Sequence, residues 1–132
     1  MYQFDTRACA LGEGLLWHPL SKQLYWFDIL GRKLLTRGPD GPREWSFDEA
    51  VSAAGWVSRN LLFVASETQL FTFDVETAEA NTVVELDADN PATRSNDGRA
   101  DPHGGFWIGT MGKKFEPGVA AIFRYYRGEL RR

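Results

Sequence analysis

The sequence predicts an all-β chain organised as about three blades of a β-propeller. Three observations carry that expectation. Apolar residues fall in short runs rich in aromatic and β-branched side chains, long enough for strands and too short for helices. Clusters of Gly, Pro, Asn and Asp, the residues of tight turns, separate them. The pattern also recurs: Trp26, Val64 and Ile108 close corresponding apolar triplets spaced 38 and then 44 residues apart. Units of about 40–45 residues are the size of propeller blades.

The first unit covers residues 10–48. It opens on a small-residue strand, Gly12-Glu13-Gly14-Leu15-Leu16-Trp17, and turns at His18-Pro19. Leu24-Tyr25-Trp26-Phe27 and Lys33-Leu34-Leu35-Thr36 follow, before the turn Gly38-Pro39-Asp40-Gly41-Pro42. The second unit, 49–90, repeats the order with Ser52-Ala53-Ala54-Gly55-Trp56-Val57, then the runs 61–65 and 69–75. The third, 91–132, opens on 94–101 and continues in 105–109 and 120–125. The turn residues in and after its first strand are Asn96-Asp97-Gly98 and Asp101-Pro102-His103-Gly104. Each unit has room for about four antiparallel strands. The composition fits, with 14% aromatic residues to fill space between stacked sheets and 13 glycines where strands crowd a central channel.

Composition also excludes several functions. The net charge is −3 and the basic residues form no long run, which argues against nucleic-acid binding. No window approaches the roughly 18 apolar residues of a membrane-spanning helix. The first residues, Met1 to Asp5, have neither a basic patch nor an apolar stretch, so no signal peptide is expected and the predicted location is cytoplasmic. A single cysteine, Cys9, leaves no internal disulfide and no cysteine-built zinc site.

Two motifs can carry chemistry. In Leu11-Gly12-Glu13-Gly14, a glutamate between glycines opens an apolar strand. By spacing alone the solvent-facing reading of Glu13 leads. On the channel-lining strand of a blade its carboxylate would instead suit a hard divalent cation. In the second motif Arg94 and Asn96 alternate, so they share a face and can hydrogen-bond a polyhydroxylated ligand; the other reading is that Asn96 and Asp97 only cap a turn. Other candidates fail. Asp87-Ala88-Asp89-Asn90-Pro91 lacks the glycine and terminal glutamate of a calcium loop. Gly12-x-Gly14 does not continue into a nucleotide loop, and no Gly-x-Ser-x-Gly elbow is present. His18 and His103 stand beside prolines and read as turn histidines, and Cys9 as a small apolar residue.

Together the motifs are recognisable. The chain resembles the senescence-marker-protein/gluconolactonase/luciferin-regenerating-enzyme-like (regucalcin-like) family. The likeness lies in Leu11–Trp17, in Val51-Ser52-Ala53-Ala54-Gly55, and in Arg94-Ser95-Asn96-Asp97-Gly98 through Gly109-Thr110-Met111. The resemblance implies a six-bladed propeller with one divalent cation, calcium or zinc, in its channel, and hydrolysis of a small-molecule sugar lactone. It implies Glu13 as a metal ligand and Arg94 and Asn96 as substrate contacts, with Glu116 near the position of a further substrate-binding acid. The family's remaining metal ligands, including the aspartate that serves as general base, lie beyond the half that this chain matches, so no catalytic base is expected here. Three blades make an incomplete ring, and a homodimer of 3 + 3 blades is one way to close it. The alternative function is a non-catalytic calcium-binding regulatory or interaction propeller. A receptor-type propeller, suggested by Leu24-Tyr25-Trp26-Phe27-Asp28, is set aside because that repeat does not recur.

Overall fold

The computed structural model describes residues 2–132; Met1, part of the segment read above for a leader, lies outside the described residues. Twelve strands form three four-stranded antiparallel sheets, with no helix among the described residues. The first sheet runs in order β1 (Gly12–His18), β2 (Gln23–Asp28), β3 (Lys33–Gly38) and β4 (Gly41–Ser46). The second runs β5 (Val51–Trp56), β6 (Leu61–Ser66), β7 (Gln69–Asp74) and β8 (Ala80–Glu85). The third runs β9 (Thr93–Ala100), β10 (Phe106–Gly112), β11 (Ile122–Tyr126) and β12 (Glu129–Arg131). Every sheet is a meander that starts from its first strand, which is the architecture of a propeller blade.

The sheets stack face to face because their middle strands alternate. Tyr25, Phe27 and Leu34 of the first sheet meet Leu62, Val64, Phe71 and Phe73 of the second in one buried cluster. Ala65 and Leu70, on the other face of the second sheet, meet Phe106, Ile108 and Phe123 of the third. The central sheet is therefore buried on both faces, and β5 is buried from Val51 through Gly55. Small residues make this possible. A Cβ on Gly55 would press against Ala100, so β5 and β9 approach closely only because Gly55 has none. Aromatic pairs tighten both seams: Trp45 meets Phe73 edge-on at 5.9 Å, and Phe63 meets Phe106 edge-on at 5.4 Å between ring centroids.

Of two expected turns one holds and one is strand: in Gly38-Pro39-Asp40-Gly41-Pro42 the turn itself is Pro39-Asp40, with Gly38 ending β3. Gly41 and Pro42 begin β4, where the proline sits on an outermost strand and its missing N–H costs no central ladder bond. Asn96-Asp97-Gly98 lies inside β9. The register of β9 against β10 shifts between Ile108 and Thr110, so the extra residue is absorbed in a bulge. Gly98 permits this, because a Cβ there would strike the Trp107 carbonyl. The outermost strands β4, β8 and β12 are largely exposed and show no regular apolar alternation, which is why hydrophobic patterning does not announce them.

Candidate functional site

The first strands of the three sheets come together. β5 lies between β1 and β9, and β1 also reaches β9 with Cα atoms within 8 Å. This places the two motif-bearing strands, β1 with Glu13 and β9 with Arg94 and Asn96, on either side of β5.

Glu13 is exposed, and no hydrogen bond or ion pair engages its carboxylate among the described residues. Its presentation comes from its neighbours. Gly14 has φ +69°, and the β1–β2 register shifts between Glu13 and Leu16, so a bulge follows the glutamate. A Cβ on Gly14 would run into the Ser52 carbonyl of β5. The chain leading to Glu13 is held by Asp28, a buried carboxylate that accepts the N–H groups of Ala10 (3.1 Å), Leu11 (3.0 Å) and Gly31 (3.0 Å). Burial pushes the Asp28 carboxyl up, but the N–H groups of Leu11, Gly31 and Ala10 together bring it below its ordinary value.

Arg94 is buried, although no carboxylate stands within ion-pair distance among the described residues. Its Nη1 donates to the Ser95 carbonyl at 2.9 Å and to Asn96 Oδ1 at 3.4 Å. The sequence-predicted pair is thus in contact. In the ladder Ser95 opposes Thr110 and Arg94 opposes Met111. Thr110 shares its face with Ile108, which packs on the second sheet. Ser95 accordingly lies on the packed face of the third sheet, and Arg94 and Asn96 lie on the opposite one.

Glu116 stands in the loop after β10, whose last residue Gly112 opposes Thr93, so the loop leaves the sheet next to Arg94. Its Oε1 accepts the Lys114 N–H at 2.7 Å and packs where a Gly112 side chain would be. No hydrogen bond or ion pair joins Glu13, Glu116 and the Arg94–Asn96 pair. Among the described residues no group of three His, Cys, Asp or Glu side chains converges on a point. Calcium takes six to eight oxygens. Glu13, exposed and unengaged, fits as one hard-cation ligand; the side chains present do not make a full cage.

The histidines match the expectation drawn from their prolines. His18 is buried, its Nε2 donates to the Ser58 carbonyl at 2.9 Å, and its Nδ1 accepts the Leu20 and Ser21 N–H groups at 3.3 and 3.4 Å. Cys9 packs over Gly12, and burial pushes its thiol up from the ordinary value. Asp28 escaped the sequence reading, although an aspartate three residues before Gly31 is a turn signal that points to it. Ser52 and Ser95, joined side chain to side chain at 2.7 Å, carry no such signal.

Comparison with known proteins agrees with this architecture. An L-arabinolactonase of Azospirillum brasilense is 34% identical over 126 residues, covering 93% of this chain and 41% of that protein. A regucalcin of Xenopus laevis is 29% identical over 111 residues, covering 83% of this chain and 37% of that one. The crystal structure of a calcium-binding protein, regucalcin, from Agrobacterium tumefaciens superposes with a TM-score of 0.92 at 35% identity, covering 96% of this chain and 44% of that chain. The chain thus spans about two fifths of the length of the curated relatives it matches. Residues 11–131 match the family described as SMP-30/Gluconolactonase/LRE-like region, and the chain belongs to that family.

Proposed function

We propose that the chain carries one side of the site of a sugar-lactone hydrolase. The observation that carries this reading is the juxtaposition of β1 and β9: an unengaged carboxylate, Glu13, on one and a buried guanidinium in contact with an amide, Arg94 with Asn96, on the other. Relatives named as lactonases support the reaction class. A lactone offers one ester carbonyl and several hydroxyls. Arg94, with five N–H donors in a fixed fork and no carboxylate to neutralise it, suits the oxygen-rich ring. Asn96 offers both a donor and an acceptor to a hydroxyl. Together they hold the ester in one orientation, which is the positioning part of catalysis. Glu116, in the loop after β10, would add an acceptor through the carboxylate oxygen that Lys114 leaves open.

In this reading Glu13 is a ligand to one divalent cation, calcium or zinc. Such a cation, when bound, polarises the lactone carbonyl and stabilises charge developing on its oxygen. Further ligands and a general base must come from outside the side chains described above. Two copies arranged 3 + 3 around one axis would bring a Glu13 from each to the channel. A dimer mass by light scattering supports that assembly, and a monomer that unfolds cooperatively excludes it.

The experiment is a comparison of the chain with its Glu13→Gln variant. Calcium and zinc binding are followed by calorimetry, and gluconolactone hydrolysis by proton release, with and without added metal. Metal-dependent turnover lost in the variant supports the hydrolase. Metal binding lost in the variant with no turnover in either protein supports a calcium-binding protein instead. Binding unchanged by Glu13→Gln refutes the ligand assignment.

A further inference from the structure

We propose that Ser52 and Ser95 are positioning residues for this site: their hydroxyls fix β9 against β5 and thereby fix where Arg94 and Asn96 stand. The functional meaning of that placement rests on the reading of Arg94 and Asn96 given above.

Both serines are wholly buried, and their hydroxyls meet at 2.7 Å across the seam between the second and third sheets. Among the described residues this is the one buried hydrogen bond between two side chains. The apolar part of the seam is Ala53, Ala65 and Leu70 against Phe106, Ile108 and Phe123, and the buried Thr110 on the same face turns its hydroxyl to the Ala121 backbone rather than across the seam. Apolar contact is non-directional and tolerates sliding, whereas a hydrogen bond has a set length and angle. The other directional side-chain link between these sheets, Lys113 to Glu67 at 3.0 Å, is solvent-exposed and lies outside β5 and β9, so the serine pair is the buried directional contact that specifies the level of β9 along β5.

Its position in the chain makes that level matter. Ser95 stands between Arg94 and Asn96 and points to the opposite face, so a strand held at Ser95 holds both neighbours. The Ser95 carbonyl also accepts Arg94 Nη1, which ties the guanidinium to the same residue. Ser52 reaches in the other direction as well. Its carbonyl lies where a Gly14 side chain would be, next to Glu13. One residue of β5 thus touches the strand of the carboxylate through its backbone and the strand of the guanidinium through its hydroxyl. Stability alone does not require this arrangement, because replacing both partners of a buried hydrogen bond by apolar groups is nearly neutral.

The test uses ¹⁵N-labelled chain and the variants Ser52→Ala, Ser95→Ala and the double variant. The Arg94 Nε–Hε and Asn96 side-chain amide resonances are recorded without ligand, and urea unfolding is measured alongside. Expected are shifted or broadened Arg94 and Asn96 signals in all three variants. The double variant should unfold close to wild type, because it leaves no buried hydroxyl unpaired. A folded double variant with both resonances at their wild-type positions overturns the proposal. A double variant that does not fold also overturns it, since the pair then serves the fold as a whole. Titration with D-gluconate separates the two claims. Gluconate that moves neither resonance in wild type refutes the substrate reading and leaves the ligand-free comparison standing. Gluconate that binds wild type should bind the folded double variant about tenfold more weakly, the loss of roughly one contact.

Discussion

Replacing Gly14 with alanine separates two reasons for a glycine in β1. The first is conformational: with φ at +69°, any L side chain meets its own backbone, at about 1–2 kcal/mol. The second is tertiary. The new Cβ would overlap the Ser52 carbonyl and the Phe27 ring. The carbonyl belongs to β5, buried through Gly55, and Phe27 is wholly buried, so neither yields freely. Overpacking of that kind adds about 1–3 kcal/mol. Gly14→Ala should therefore cost about 2–5 kcal/mol in all. Gly41 supplies the control. It has φ +95°, but nothing lies within 4 Å of the position its Cβ would take. Gly41→Ala should cost about 1–2 kcal/mol, the conformational part alone. Urea unfolding of both variants reads the difference. With a slope of about 1–3 kcal/mol per molar, a gap of about 2 kcal/mol separates the midpoints by about 1 M. Equal midpoints would refute the argument, since they would mean that β1 and β5 are not in the close contact that presents Glu13.

Asp28 gives a pH prediction. Its folded carboxyl lies below the ordinary unfolded value near 3.9, so its contribution is complete above that value and is lost as pH falls through the folded one. Between pH 7 and pH 3, wild type should lose more stability in urea than Asp28→Asn does; equal losses would show that the three N–H groups do not favour the ionised form. Asp5, paired with Arg7 and Arg37 and also held low, titrates alike in both proteins and cancels. His18→Ala removes a wholly buried ring with three hydrogen bonds and should cost about 2–4 kcal/mol, read as a fall in the urea midpoint. A cost below about 1 kcal/mol would mean that the β1–β2 turn does not depend on the imidazole.

Much of the fold was legible because its signals are local. The runs Leu24–Phe27 and 61–65 alternate apolar side chains that the blades bury, and they became β2 and β6. The small residues of Ser52-Ala53-Ala54-Gly55 pointed to strand crowding, and β5 does lie between two neighbouring first strands. Strands such as β8 and β12 were silent because their stability comes from ladder bonds to a buried neighbour, not from their own burial. The turn reading of Asn96-Asp97-Gly98 failed because Asn, Asp and Gly serve a bulge as well as they serve a turn. Only the partner strand distinguishes the two.

The candidate site divides the same way. The sequence by itself determined which residue types are available, Glu13 between its glycines and Arg94 alternating with Asn96, because periodicity and turn chemistry act over a few residues. It also determined the blade repeat, since each unit must bury the same face. Only the tertiary structure decided that β1 and β9 flank β5, that Asp28 ties down the approach to Glu13, and that Ser52 meets Ser95 across 43 positions of chain. Those contacts join residues whose separation along the chain bears no relation to a local period. They exist because stacked sheets bring their first strands together, and no single strand encodes where its neighbour will fall.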